Sequence, residues 1–282
     1  MRPDHTDMPR FSLTPLWLLT IGLMLLGAVP VHAQDVDEDD PAILRLAEPD
    51  YTLIALPTGL RLPKNKSAFR ITHRFTRPLN DDFGKVAEDL FGVDSSATVG
   101  LEYRYGIIDN GQIGIHRRSN KTIQFFSEYR VVPQRRFGVE VSAFASIEGT
   151  DNFKGSYSPA LGGVLSRLFG TRAAAYVSPI WVNNTNELPG EVVDHNDTMM
   201  VGLGVRLRVR PTVYVVMETT PRIAGDRPNR TQHGIAIEKR KGGHLFQLNF
   251  SNGFGTTMAQ IARGVDRQSD WYLGFNVTRK FF

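Results

Sequence analysis

The chain has 282 residues, 41% hydrophobic, 22% charged and 10% aromatic, with a formal net charge of +4. One long apolar run exists, at the N-terminus, which excludes a polytopic helical membrane protein, and the near-average apolar content excludes wholesale disorder. Cysteine is absent, so a disulfide framework, a thiolate metal site, a cysteine nucleophile and a lipid-modified N-terminal cysteine are excluded as well.

Residues 16–28 (LWLLTIGLMLLGA) form an apolar stretch that falls short of the roughly 20 residues of a membrane span. Arg2 and Arg10 precede it, and Val31-His32-Ala33 follows with small or branched residues where a signal peptidase reads. The expectation is a secretory signal over 1–33, cleaved after Ala33, with an uncleaved anchor as the alternative. Residues 34–50 then hold seven acids against one base, Arg45, and show no apolar periodicity. An acidic, flexible segment and lead-in over 34–66 is expected, although residues 51–62 could add a strand or lie in the lumen.

From Ser67 onward the dominant period is two. Val99, Leu101, Tyr103 and Tyr105 alternate with Gly100, Glu102 and Arg104. Met199, Val201, Leu203, Val205 and Leu207 alternate with Met200, Gly202, Gly204 and Arg206. This is the pattern of strands with one apolar and one polar face. Twelve runs are expected: 68–77, 96–106, 111–119, 121–132, 135–146, 157–168, 172–183, 198–209, 212–220, 232–240, 243–252 and 271–282. Most are as long as a tilted membrane-crossing strand. Short turns at Asp109-Asn110, Pro133-Gln134, Gly170-Thr171, Arg210-Pro211 and Gly242-Gly243 alternate with mostly longer connections; the short link at Asn120 is the exception.

Turns at one end and loops at the other predict an all-β fold: a closed antiparallel up-and-down transmembrane β-barrel of about twelve strands over 67–282. Closure is required because a sheet edge cannot be left unpaired in hydrocarbon. A short amphipathic helix is expected in the first long loop, where Phe83, Val86, Ala87, Leu90 and Phe91 fall at helical spacing. The last strand ends Phe281-Phe282 and resembles the signal read by the barrel assembly machinery, although its apolar parity runs through Phe281. Outer-membrane lipid and that machinery are the expected partners, and the cell outer membrane is the expected location.

The polar parity places Arg70, Arg74, Glu102, Arg104, Arg118, Glu128, Arg130, Glu140, Arg206, Arg208, Glu218, Glu238 and Arg240 in the lumen. Two readings follow. The side chains could form a structural filling of cross-strand pairs, with Glu102 and Arg104 near Glu128 and Arg130. Alternatively, the excess of arginine could line a narrow pore favouring a small anionic solute, with the acidic tail at its mouth. Arg117, Arg167, Lys239 and Arg279 fall on the lipid-facing parity near run ends, where charge is tolerated. Trp181, Tyr129 and Trp271 suit interfacial girdles.

Three features carry a resemblance. They are the strand Phe69-Arg-Ile-Thr-His-Arg-Phe75 behind the lead-in Leu62-Pro63-Lys64, the Leu90-Phe91-Gly92 insert, and Val99-Gly-Leu-Glu-Tyr-Arg-Tyr-Gly-Ile-Ile-Asp-Asn110. Over residues 60–132 the chain is similar to an uncharacterised bacterial β-barrel family, domain of unknown function 5777. It departs from that pattern at Arg104 and at Ile108. The resemblance implies an envelope barrel and supplies no catalytic residues.

Chemistry is otherwise sparse. The histidines show no metal-ligand spacing, His-x-Ser is absent, and no phosphate-cradling glycine loop occurs. Asp194, His195 and Asp197 share one loop, read as solvated. No catalytic residue, metal or cofactor is expected, and nucleic-acid binding is not expected either, since the arginines point inward. The expected function is a porin-like channel or a structural envelope barrel. A carrier of a small anionic or hydrophobic ligand is the first alternative, and a lipid-acting barrel enzyme the second.

Overall fold

The computed structural model describes residues 45–80, 88, 96–185, 196–225 and 231–281. The expected signal over 1–33, residues 34–44, Asp194 and His195, Phe282 and, apart from Glu88, the stretch where the insert helix was expected lie outside the described residues. Thirteen strand segments are formed: β1 (Ser67–Pro78), β2 (Ala97–Ile108), β3 (Gly111–Arg118), β4 (Ile123–Val132), β5 (Glu140–Gly149), β6 (Tyr157–Phe169), β7 (Ala173–Val182), β8 (Thr198–Arg210), β9 (Val213–Thr220), β10 (Arg222–Ala224), β11 (Gln232–Lys241), β12 (His244–Ser251) and β13 (Tyr272–Phe281). The short β10 continues β9 beyond Pro221, and both pair with β8. Twelve spanning strands therefore make one antiparallel ring, closed by β1 on β13 with Ile71 opposite Val277.

The turn chemistry explains the up-and-down order. Asn110 and Gly242 adopt positive φ, at 65° and 54°, in the tight β2–β3 and β11–β12 connections. The sequence places β5 from residue 135, whereas it begins at Glu140. Pro133 opens, and left-handed Gly138 closes, a one-turn helix α1 (Gln134–Phe137) that takes up the difference. Gln134 ties α1 to β6 through both the amide and the carbonyl of Leu168.

Burial along the strands is inverted relative to a soluble sheet. On β2, Leu101 and Tyr103 are 47% and 44% exposed, while Glu102 and Arg104 are each 4% exposed. Phe125, Leu161, Ile237, Phe246 and Leu248 are likewise exposed. A continuous apolar exterior of this kind is stable against hydrocarbon and not against water. Arg117, Arg167, Lys239 and Arg279 face outward close to strand ends, where each has a neighbour: Asn152, Phe169, Thr212 and His244. Ile237→Arg, halfway along β11, is expected to cost about 2–4 kcal/mol through lipid contact. Denaturant titration in bilayers checks this, and an unchanged midpoint would argue against a lipid-facing exterior.

Candidate functional site: a lumen occupied by the chain's own N-terminal segment

Eleven of the thirteen expected inward residues are buried, whereas Arg130 and Arg208 are only half-buried. They gather into separate clusters. Arg104 ion-pairs with Glu102 and lies 3.4 Å from Glu128, as the cross-strand expectation has it, while Arg70 stands 4.0 Å from Glu102. Arg130 turns instead to Glu140, at 2.9 Å. Arg206 and Glu238, both fully buried, pair at 2.9 Å. Arg118 bonds Gln260, Arg208 donates to the carbonyl of Pro211, and Arg240 is buried at the β11 wall. Glu218 meets no arginine at ion-pair distance among the described residues; its partners are backbone amides.

Those amides belong to the segment expected to be flexible. Residues 47–62 are buried inside the barrel, so 47–50 are not solvated, and 51–62 occupy the lumen rather than a strand. The reason is composition. The acidic tail ends at Asp50, and Tyr51-Thr-Leu-Ile-Ala-Leu-Pro57 follows, an uncharged apolar stretch with a proline turn. It folds back on itself, with Leu53 N–H donating to Leu56 O at 2.8 Å and Thr58 N–H to Tyr51 O at 3.0 Å. The acids before it are also buried. Glu48 accepts from Arg45 and from the amide of Gly59, and Asp50 accepts from Thr278. Arg61 pairs with Glu128 at 2.8 Å, and burial pushes the Tyr51 hydroxyl well above its usual range, holding it neutral.

Hydrogen bonds from the wall reach the middle of this plug through its main chain. The Glu218 carboxylate accepts from the amides of Ile54, Ala55 and Leu56 at 2.9–3.2 Å. The Ile54 carbonyl accepts from Arg70 at 2.7 Å, Asn276 at 3.1 Å and Arg74 at 3.4 Å. Arg206 donates to Thr52 O at 2.7 Å and Gln247 to Leu53 O at 3.0 Å. These groups satisfy backbone that would otherwise be buried without partners.

The apolar side chains of the plug enter recesses on β6 to β9 and β11, beside the polar groups that grip its main chain. There the expectation of a uniformly polar lumen fails, because Val164, Ala174, Tyr176, Val216 and Ala236 face inward and pack on Leu53, Ile54 and Leu56. Glycines shape the recesses. A Cβ on Gly202 would lie 2.7 Å from Leu56, one on Gly234 would lie 2.7 Å from Ile54, and one on Gly204 would overlap Leu53. The alternation of Gly202, Gly204 and Arg206 on β8 is thus an imprint of the plug.

The β12–β13 connection closes the barrel from the long-loop end. Helix α2 (Met258–Arg263) buries Met258 and Ile261 with Ala55, Phe126 and Phe144. Thr257 and Arg263 both bind Glu148, and Arg263 reaches Ser158 at 3.2 Å. Glu148 was not legible as a lumen residue, and for 51–62 the lumen was one of two open alternatives. Only the change of composition at Tyr51 and the glycines on β8 carried a signal.

A closed ring with an apolar exterior and a charged, occupied interior defines a membrane β-barrel. The chain belongs to the family described as membrane bound beta barrel domain, DUF5777, whose pattern matches residues 50–281. The match begins at Asp50, so residues 50–62 of the plug lie within the family domain. Among solved structures the chain is similar to the NanC porin, at 7% identity and a TM-score of 0.50 over 77% of this chain and 100% of that one. An outer membrane channel from Pseudomonas putida F1 shows 11% identity and a TM-score of 0.49, over 78% and 97% of the two chains. An active-site mutant of outer membrane phospholipase A from Escherichia coli shows 9% identity and 0.46, over 84% and 98%. No curated protein matches the chain.

Proposed function

We propose that the mature protein is an outer-membrane, porin-like channel that its own N-terminal segment holds shut. The observation carrying this reading is the plug: a segment joined covalently to β1 through residues 62–66 and held to the other described strands by non-covalent contacts, filling a lumen lined by ionisable side chains. A purely structural barrel could be filled by strand side chains alone. Here recesses in the wall accommodate a separate, non-covalently held segment, which can leave without disturbing the ring of strand pairs. The inward excess of arginine gives the vacated lumen a preference for a small anionic solute. Export after removal of 1–33 and insertion by the barrel assembly machinery through β13 belong to the same proposal.

The test is conductance in planar bilayers. The native chain is expected to be nearly silent. A variant with both closures loosened (Leu53→Ser, Leu56→Ser, Glu148→Gln) is expected to conduct with anion preference. That variant remaining silent while showing the heat-modifiable mobility of a folded barrel would overturn the channel reading.

A further inference from the structure

We infer that the lumen is a peptide-binding site, and that the plug is a tethered copy of the ligand it recognises: a short, uncharged oligopeptide with apolar side chains. This rests on the reading above that the plug can be displaced. The wall meets residues 52–56 through their main chain. Arg70, Arg74 and Asn276 converge on one carbonyl, Arg206 and Gln247 take the two before it, and Glu218 gathers three consecutive amides. A solute-conducting pore for simple ions has no use for this pairing. Donors are placed on three consecutive carbonyls, 52–54, and a carboxylate on three consecutive amides, 54–56, so the wall reads both polar groups of a turned peptide main chain. Contacts to the main chain are indifferent to side-chain identity, so a different peptide can make them.

Selectivity then falls to the recesses over Gly202, Gly204 and Gly234, which admit branched apolar side chains at positions 53, 54 and 56. An inorganic anion could use the arginines but would leave Glu218 facing it and the recesses empty. A free fatty acid would fill the recesses but has no N–H groups for Glu218. A peptide alone satisfies all three sets of groups.

The experiment uses the full-length chain with its own plug weakened and the wall untouched: Leu53→Ser/Leu56→Ser, with Ile54→Ser/Leu60→Ser as a second, independent variant. The probe is a fluorescent synthetic peptide of residues 51–59 with blocked termini, followed by anisotropy in detergent. Binding to either variant, with the native chain excluding the probe, is the expected result. An unrelated nonapeptide with apolar residues at the same three positions should compete. A probe with aspartate in place of both leucines should bind at least about tenfold more weakly. Failure of the probe to bind either heat-modifiable variant overturns the inference, and so does displacement of the probe by phosphate or by laurate as effectively as by peptide. Conductance of the same variants separates the two readings. A variant that conducts without binding peptide removes only the peptide site, and one that binds peptide without conducting removes only the channel.

Discussion

Replacing Arg206 by methionine is expected to destabilise the folded barrel by about 3–5 kcal/mol, the range for breaking one side of a buried ion pair. Arg206 and Glu238 are both fully buried and joined by two hydrogen bonds, at 2.9 and 3.0 Å. The substitution leaves the Glu238 carboxylate without its cation, and the Thr52 carbonyl loses its 2.7 Å donor. Methionine keeps volume and flexibility, so the loss reports charge and hydrogen bonding rather than a cavity. The double variant Arg206→Met/Glu238→Gln should recover a large part of the deficit, because no unpaired charge remains. Guanidinium titration of the four proteins in bilayers, closed as a double-mutant cycle, measures this. Additive losses would show that Arg206 acts on the plug alone.

Glu218→Ala should release the plug while sparing the ring. Three buried amides lose their acceptor at once, and each unsatisfied group costs about 1–3 kcal/mol. The segment can avoid that penalty by leaving, since its only covalent link to the wall is at β1. Trypsin therefore becomes a reporter. Arg61, buried in the native chain, should be cut in the variant while the barrel stays heat-modifiable. A variant as resistant at Arg61 as the native protein would show that the leucine recesses alone hold the plug.

The strands were legible because two physical demands write the same pattern. Hydrocarbon outside and charge inside require alternation at every second residue, and β2, β8 and β13 carry it nearly without error. The start of β5 was misplaced because Phe137 and Val139 continue the apolar parity of Val141 and Ala143, and only the Pro133 and Gly138 bracket reveals the one-turn helix. The plug was less legible for a different reason. Acidic residues read as solvated, yet Glu48 and Asp50 are buried; Arg45 is a local partner of Glu48, but Gly59 lies 11 residues from Glu48 and Thr278 lies 228 residues from Asp50. The inward charges were identified individually. Their arrangement, with groups that grip main chain interleaved on β8 and β9 with positions that hold leucines, depends on which strands face each other across the lumen. Alternation carries no record of that.

The carbonyl of Ile54 is held on one side by Arg70 and Arg74 of β1 and on the other by Asn276 of β13. Lys280 of β13 likewise reaches the carbonyl of Pro49. The plug therefore straddles the one seam where the first and last strands meet, the junction that must form last if the strands pair in chain order. It acts as a stitch across that seam. A segment made before any strand waits for the final strand to arrive, and the two ends of the chain are fastened together through a third piece of it as well as through their own ladder. Losing the stitch should leave a barrel that still closes, but whose closing strand pair is the first to part.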